Sequence, residues 1–307
     1  MTATLLFTQL LNGLQLGVLL FLLASGLTLV FGIMNFVNLT HGSLYMMGAY
    51  FAAAAFNAFG GSFLAAALAA VPGTLLLGLL MERLALSALY GRDHLDQVLA
   101  TFGLILFFNE VVRFIWGPAS VYINVPSWLT GPVNLFGLSY PSYRLAIIAV
   151  GLVVGAGLYL LIHRTRIGML IRAGASNADM VSALGVNIKG LNSLVFALGA
   201  GLAGLAGLMA GPIVSVQSGM GEPILILTLV VIVTGGIGSI RGAFYGALIV
   251  GIVDTVGRAF LPALLREFLE RSMAQAAGPA IASMLIYLLM AAVLAFKPAG
   301  LFPVKHG

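Results

Sequence analysis

Charged residues are scarce in this sequence. They make up 7% of its 307 residues, whereas an ordinary soluble domain carries about 25%. Cysteine is absent, which excludes disulfide bonds, thiolate catalysis and cysteine-ligated metal sites. The phosphate-binding pattern G-x-x-x-x-G-K-[ST] does not occur, so the chain has no recognisable means of hydrolysing ATP by itself. These absences exclude an ordinary soluble domain, and we predict no catalytic residue, no metal site and no cofactor bound by this chain.

Apolar residues dominate instead. They account for 61% of the sequence, and the mean hydropathy is +1.11. Charge-poor runs fall at residues 5–33, 43–58, 62–81, 97–116, 143–162, 194–214, 223–238, 243–261 and 280–296. Because a spanning helix needs about 20 mostly apolar residues, the sequence predicts an all-α fold: a polytopic transmembrane helical bundle with eight or nine spans, in one domain over residues 1–307. The second and seventh runs are short, so broken or re-entrant helices are expected there.

The distribution of positive charge predicts the orientation of the chain. No Lys or Arg precedes Arg83, whereas a signal peptide begins with positive residues, so the first run is predicted to be a retained span. If every run crosses, nine positive residues fall on one side, at positions 83, 92, 164, 166, 172, 189, 241, 297 and 305, and five on the other. Cytoplasmic loops carry the excess of Lys and Arg. We therefore predict an outer N-terminus, a cytoplasmic C-terminus and a cytoplasmic segment at residues 163–193.

Two segments are predicted on the outer side. Residues 116–142 are rich in Pro, Trp and Tyr, with no charged residue among them, which suits a loop along the membrane interface. Residues 262–279 carry apolar side chains at helical spacing opposite Arg266, Glu267, Glu270 and Arg271. The second pattern predicts a short amphipathic helix that lies on the membrane or against a partner.

A polar interruption follows the first apolar run and includes Asn35, Asn38, Thr40, His41 and Tyr45. Backbone that leaves the helix within a bilayer must be buried in protein or line a water-filled cavity. One interpretation is a broken helix beside a permeation pathway. The other is an ordinary turn, in which the asparagines cap helices and His41 is hydrogen-bonded locally. The residues alone do not decide between the two.

A glycine-rich interruption lies at residues 233–251. Its stretch RGAFYGA at 241–247 faintly echoes HGSLYMMGA at 41–49, in each case where a span begins. One interpretation is a paired structural element that flanks the pathway. The other is a glycine-rich turn with Arg241 at the lipid headgroups.

One helix face and three acidic residues complete the candidates. Gly199, Ala203, Gly207 and Gly211 recur every four residues, which predicts close helix packing within the subunit or between subunits. Glu110 and Arg113 are three residues apart, and Asp254 and Arg258 are four residues apart. These spacings predict ion pairs with a structural role. Glu222 is expected either as a solvated loop acid or as a contact to a partner or solute.

Residues 163–193 form a long polar interruption rich in positive charge. Within it Ser176 and Asp179 have the S-x-x-D form of a capping box, and Gly185 is placed to end a helix. The sequence therefore predicts a short helix from about Ser176 to Leu184. About eight residues make only about 12 Å of helix, too little to be stable alone in water. The segment is expected to lean on the membrane helices or to lie in a groove of another protein.

Three stretches, in this order, resemble a known family. They are NFVNLTHGSLYMMGAY at 35–50, RAGASNADMVSALGVN at 172–187 and TGGIGSIRGAFYGALIVG at 234–251. They are similar to the branched-chain amino acid ABC transporter permeases of the Liv type, in particular the shorter H-type subunit. The resemblance implies a bacterial inner-membrane importer with four further components: a second, different permease subunit, two ATPase subunits that hold ATP and Mg, and an extracytoplasmic substrate-binding protein.

The same resemblance assigns roles to individual residues. The residues implied to dock into the ATPase are Arg172, Ala173, Ser176, Asn177, Asp179, Met180, Ala183, Leu184 and Gly185. The residues implied to lie next to the translocation pathway are Asn35, Asn38, His41, Gly42, Tyr45, Gly235, Gly236, Gly238, Ser239 and Gly242. Ala178 stands where relatives often carry a proline, so the docking helix is expected to start at Ser176 or Asn177.

We therefore expect a permease subunit that moves branched-chain or related amino acids inward by alternating access, driven by ATP hydrolysis on other chains. The alternative is a gradient-driven secondary transporter or a channel for a small polar solute. A midplane chain of acids is missing from the sequence, which argues against the gradient-driven form. The solute stays open among branched-chain amino acids, other amino acids, amides and urea.

Overall fold

The computed structural model describes residues 3–135 and 137–303. Within these residues the chain forms eleven α-helices and one antiparallel hairpin. The helices are α1 (Ala3–Met34), α2 (His41–Ala58), α3 (Phe63–Met81), α4 (His94–Trp116), α5 (Ser142–Arg164), α6 (Arg166–Ser176), α7 (Ala178–Ala183), α8 (Ile188–Ala210), α9 (Gly221–Gly235), α10 (Ile240–Leu265) and α11 (Arg271–Phe296). The strands are β1 (Pro132–Leu135) and β2 (Leu138–Pro141).

Each of the nine apolar runs corresponds to one helix, from α1 to α5 and from α8 to α11. Seven of these helices are long and apolar enough to cross a membrane, by length and composition. The two helices outside this set are α2, with 18 residues, and α9, with 15. At 1.5 Å per residue α9 is about 22 Å long, short of the roughly 30 Å of hydrocarbon. The predicted helical membrane bundle is confirmed, and the two short runs are the helices that do not qualify as full spans.

The described residues pack as two compact units, and the prediction of a single domain stays a prediction. The first unit comprises residues 3–21, 127–135, 137–152 and 227–303. In it α10 packs along α11 and against the first part of α1. A Cβ added at Gly17 would lie 2.9 Å from the carbonyl oxygen of Ala247, so α1 and α10 approach backbone to backbone. The side chain of Asn12 accepts hydrogen bonds from Tyr140 and Arg144, which attaches α1 to the hairpin and to the start of α5.

The second unit comprises residues 22–126 and 153–226, and α8 lies in its core. The predicted packing face of α8 meets other elements of this same chain. Ala203 is fully buried. A Cβ added at Gly199 would lie 3.0 Å from Gly26 O, and one added at Gly207 would lie 2.9 Å from Ala49 N. One added at Gly211 would lie 2.7 Å from Ile123 Cδ1. These contacts place the face against α1, α2 and the segment after α4.

The two segments predicted on the outer side differ from the sequence expectations in two ways. Residues 116–142 contain a 3-10 turn at Ser127–Leu129 and the hairpin, in addition to loop. The separate amphipathic helix expected within 262–279 is wrong, because α10 continues to Leu265, the chain turns, and α11 starts at Arg271. The prolines at 262 and 279 lie inside the two long helices. Neighbouring helices can compensate for a proline within a membrane helix, and Gly278 of α11 packs on the ring of Pro262.

Candidate functional site

The positive segment at 163–193 contains two consecutive short helices. The first, α6, was not predicted. It starts after Thr165, whose hydroxyl accepts a hydrogen bond from the backbone N–H of Gly168 at 3.0 Å. Gly168, Ile171 and Gly174 recur every three residues and are the buried residues of this helix. That spacing is the signal in the sequence from which α6 could have been found.

The second helix, α7, is stabilised at both ends. Asn177 Oδ1 accepts a hydrogen bond from the backbone N–H of Met180 at 2.9 Å. At the other end Gly185 has φ +89°, and its N–H donates to Ser182 O at 2.9 Å while the next residue, at position 186, donates to the carbonyl of residue 181 at 3.3 Å. This is the Schellman arrangement, which satisfies the last carbonyl groups of a helix and favours glycine.

The capping box expected at Ser176 is wrong, since the N-cap residue of α7 is Asn177. Ser176 is the last residue of α6, so its backbone is already helical. Asn177 is extended, with φ −156° and ψ 95°, and joins the two helices. The start at Ser176 or Asn177 is therefore resolved in favour of Asn177.

The nine residues assigned to ATPase docking are all exposed or half-exposed. Two of them are apolar and largely exposed: Met180 at 59% and Leu184 at 77%. Val181 is the buried residue of α7 and turns towards the rest of the unit. A short, doubly capped helix thus presents apolar side chains to solvent, a combination typical of surfaces that bind another protein.

The inner side of α6 leans on membrane helices. A Cβ added at Gly174 would lie 3.3 Å from Leu191 Cδ2 of α8 and 3.8 Å from Ile33 Cγ2 of α1. The segment therefore rests on α1 and α8 with one face while α7 exposes another. Both expectations for its support, the membrane helices and a partner protein, are compatible with this arrangement.

The polar residues from the end of α1 to the start of α2 are mostly buried, and they bond both within the segment and to other helices. Asn35 is exposed and has φ +47°, which is uncommon for a residue with a Cβ. Asn38 is 1% exposed and accepts a hydrogen bond from the N–H of Thr40 at 3.0 Å. His41 is buried, and its Nε2 donates to Leu23 O at 3.1 Å. The Asn38 contact is local, as the ordinary-turn interpretation expects. The N-cap of α2, however, is Thr40, which makes no side-chain cap bond, and the partner of His41 lies 18 residues earlier in α1. These contacts hold an irregular backbone inside the protein.

The start of α2 approaches other backbone closely. A Cβ at Gly42 would lie 2.5 Å from the carbonyl oxygen of Gly221, the first residue of α9. Tyr45 is 5% exposed, and its carbonyl faces Gly207 of α8. In this conformation Gly42 and Tyr45 are therefore covered by the protein itself.

The glycine-rich interruption lies in the first unit and forms a tight turn between α9 and α10. Gly236 and Gly238 have φ +113° and +81°, which a side chain would strain. Ser239 caps α10 by accepting a hydrogen bond from the N–H of Gly242 at 3.1 Å, and Gly242 packs against Gly235. Like Gly42 in the second unit, Gly242 lies in the first turn of a helix and meets a glycine at one end of α9. The faint sequence echo has this structural counterpart within each unit.

Sequence reasoning missed the segment that covers this turn. The backbone N–H groups of Leu301 and Phe302 donate to Thr234 O at 3.0 Å and to Gly235 O at 2.8 Å. The ring of Phe302 stacks on Tyr245 with 5.0 Å between centroids. Because these partners are more than 50 residues apart, no local pattern indicates them.

The acidic residues expected in pairs are paired. Asp254 and Arg258 form an ion pair at 2.7 Å, and the acid and arginine at positions 110 and 113 form one at 2.9 Å. Glu222 is not a solvated loop acid, because it is half-buried in the first turn of α9 and accepts a hydrogen bond from Asn109. Among the described residues no group of three or more His, Cys, Asp or Glu could hold a metal ion.

Sequence reasoning also missed a buried carboxylate, Glu82, at the end of α3. It accepts hydrogen bonds from Ser193 of α8 and from Tyr90. The contact between positions 82 and 193 brings the loop after α3 next to the start of α8. The loops with Arg83 and with the segment 163–193, which the charge pattern predicts on one side, therefore meet at one end of the second unit.

The fold is that of a multi-pass helical membrane protein, with seven helices among the described residues that are long and apolar enough to span by length and composition. Residues 9–294 match the family described as the permease component of branched-chain amino acid transport systems, and the chain belongs to this family. The family predicted from the three stretches is thereby confirmed.

Individual relatives agree with this assignment. The high-affinity branched-chain amino acid transport system permease protein BraD of Pseudomonas aeruginosa is 32% identical over 263 residues, which cover 81% of this chain and 85% of that protein. LivH of Escherichia coli K12, a permease protein of the same description, is 31% identical over 273 residues, or 82% and 86% of the two chains. The inner membrane ABC transporter permease protein YjfF of E. coli K12 is 26% identical over 168 residues, about half of each chain. No solved structure matches the chain.

Proposed function

We propose that this chain is the membrane-spanning subunit of an ATP-driven importer for branched-chain or related amino acids in the bacterial inner membrane. It forms half of the translocation pathway and pairs with a second permease subunit. Two ATPase subunits bind and hydrolyse ATP with Mg, and an extracytoplasmic binding protein delivers the solute. The N-terminus lies outside and the C-terminus in the cytoplasm. The names of the relatives support the substrate class, and the name of YjfF supports the coupling to an ATPase.

The observation that carries this proposal is the pair of exposed apolar side chains on α7 and at its C-cap. Met180 and Leu184 are 59% and 77% exposed on a helix capped at both ends. Burying a leucine-sized side chain at an interface contributes roughly 1.5 to 3 kcal/mol, so these two residues suit a groove on an ATPase. Asp179 lies in the first turn of α7, where its negative charge interacts favourably with the positive end of the helix dipole.

The two irregular segments are proposed to hold the helices that line the pathway. Non-helical backbone at membrane depth is tolerated where it is buried in protein or lines a cavity. The segment around Asn38 and His41 satisfies this condition in the second unit, and the turn from Gly235 to Gly242 satisfies it in the first. Most of these residues are covered in this conformation, so their role is to position helices, and contact with solute requires a conformational change.

A charge introduced at the docking surface tests the proposal. We expect Leu184→Asp to lower ATP-dependent uptake of radiolabelled leucine by about tenfold or more. In the docked complex the variant would bury a charge, which must be desolvated, in place of the leucine side chain. The measurement uses proteoliposomes with the ATPases, the second permease and the binding protein. The matched control is Phe268→Asp, since Phe268 is 83% exposed in the turn between α10 and α11.

Two results would contradict the proposal. Equal uptake by the Leu184→Asp and Phe268→Asp variants would remove α7 from the docking surface. Leucine flux through the purified chain alone, without ATPases or nucleotide, would favour the gradient-driven transporter or channel instead.

A further inference from the structure

Glu82 is a buried carboxylate at the junction of α3 and the following loop. It is 2% exposed and begins the π-helical turn Glu82–Leu86. Such turns are rare in proteins, and those that occur often lie at functional sites. Among the described residues no Lys, Arg or His lies within ion-pair distance of this carboxylate. A buried acid in such a position has to be held by hydrogen bonds.

Two hydroxyl groups hold the carboxylate of Glu82. Ser193 Oγ donates to its Oε2 at 2.6 Å, and the Tyr90 hydroxyl donates to its Oε1 at 2.9 Å. Burial, and then the hydrogen bond and charge of Glu82, raise the pKa of Tyr90 above its ordinary value, so the phenol keeps the proton that it donates. We name Glu82, Tyr90 and Ser193 the hydroxyl–carboxylate cluster.

Ser193 attaches the cluster to the docking segment. It lies in the second turn of α8, which starts at Ile188. Leu191, two residues earlier, faces Gly174 of α6, where an added Cβ would lie 3.3 Å from Leu191 Cδ2. Both contacts therefore belong to the same two turns of one helix. A displacement of α6 that moves these turns also moves the hydroxyl bonded to Glu82.

Tyr90 attaches the cluster to the polar segment after α1. Its ring packs edge to face on Phe36, with 5.3 Å between centroids, and Phe36 is fully buried. The side chain of Gln97 makes a second connection, because it accepts a hydrogen bond from Val37 N at 3.2 Å and donates one to Leu89 O at 3.3 Å. The segment that holds the polar residues at 35–41 is thus fastened to the loop that follows Glu82.

We propose that the hydroxyl–carboxylate cluster is a positioning element that carries a displacement of α6 and α7 to the polar segment at residues 35–41. This inference rests on the proposed function. Glu82 lies between the two attachments and accepts one hydrogen bond from each side. The cluster residues act through α8 and through Phe36, and none of them is assigned a contact with solute or nucleotide.

Removing single hydroxyl groups tests the inference. Ser193→Ala and Tyr90→Phe each delete one donor to Glu82 and keep the surrounding packing. We expect each variant to transport at most about a tenth as much leucine per ATP hydrolysed, the factor that corresponds to one hydrogen bond to a charged group. ATP hydrolysis itself is expected to continue, since α7 is unchanged. Uptake and hydrolysis are measured in the same proteoliposomes, with the ATPases, second permease and binding protein present.

Two further variants complete the test. Ser193→Thr keeps the hydroxyl and is expected to restore the transport ratio. Ser87→Ala is the matched control, because Ser87 is exposed in the same loop and its hydroxyl bonds the backbone of Arg83 at 3.2 Å. It is expected to leave the ratio unchanged.

Several results would overturn the inference. One such result is an unchanged ratio of leucine transported to ATP hydrolysed in both Ser193→Ala and Tyr90→Phe. Another is an equal loss of uptake and hydrolysis with a lower unfolding temperature, since a purely structural role lowers both alike. If one variant does not accumulate in the membrane, the other decides. Absence of ATP-driven uptake by the wild-type complex would refute the proposed function itself, and the wild-type measurement distinguishes that failure from failure of the cluster.

Discussion

Replacing Asn177 by alanine removes the N-cap of α7 and leaves every exposed apolar side chain of the docking surface in place. Asn177 Oδ1 accepts a hydrogen bond from Met180 N at 2.9 Å, and this is the side-chain contact that satisfies the start of the helix. The variant therefore separates the order of α7 from its chemistry. If α7 binds an ATPase as a preformed helix, loss of its cap should weaken that binding.

The magnitude follows from the length of the helix. Loss of an Asn cap costs about 1 kcal/mol. With six residues, α7 has almost no stability of its own, so most of this cost should appear in the docking equilibrium. About 1 kcal/mol corresponds to roughly a fivefold weaker Kd. Asn177→Ser keeps a capping oxygen and is expected to bind within about twofold of the wild type.

The assay is the affinity of the purified ATPase for the permease pair in lipid nanodiscs, measured by fluorescence titration. Ser62→Ala is the matched control, because Ser62 caps the 19-residue α3 by accepting a hydrogen bond from Ala65 N at 3.3 Å. It should leave the Kd unchanged, since α3 is supported by packing along its length. Equal Kd values for Asn177→Ala and the wild type would refute the view that α7 docks as a capped helix.

Two further predictions concern glycines. Gly185 has φ +89° and open space where a Cβ would lie, so Gly185→Ala should weaken ATPase binding by about fivefold through backbone strain of roughly 1 kcal/mol. The control Gly137→Ala, at φ +85° and equally open, should leave binding unchanged. Equal effects of the two variants would contradict a role of Gly185 in docking. Gly48→Ala would place a Cβ 2.7 Å from the carbonyl oxygen of Gly204, so it should lower the free energy of unfolding by about 1 to 3 kcal/mol. The loss is measured as a lower unfolding temperature in detergent. The control Gly103→Ala, in open space on α4, should leave the unfolding temperature unchanged.

The helices of the membrane bundle could be predicted because their signal is local. Each of the nine apolar runs became a helix, since an apolar segment in lipid must satisfy its backbone hydrogen bonds internally. Gly185 was recognisable for the same reason, because the left-handed conformation at a helix end favours glycine whatever surrounds it. The apolar spacing at 262–279 indicated a separate helix, but α10 and α11 extend through the prolines at 262 and 279 and leave only a turn between them.

Contacts between distant residues could not be predicted. Ser176 and Asn177 are both good caps, and only the extent of α6 left Asn177 to cap α7. For Glu222 the local sequence allowed a solvated acid or a contact to a partner or solute, whereas its carboxylate bonds Asn109, 113 residues earlier in the chain. In each case the local preference was real, and the packing of another element selected among the options that it allowed.

The sequence by itself determined that this is a multi-pass helical membrane protein with a positive polar segment at 163–193, because hydrophobic run length and charge bias act over a few residues. The permease family was indicated by the resemblance of three stretches to known members. Only the tertiary structure decided that Glu82 meets Ser193, 111 positions away, and that α6 rests on α1 and α8. Such contacts depend on the path of the whole chain, because a buried carboxylate is stable wherever the fold brings donors to it.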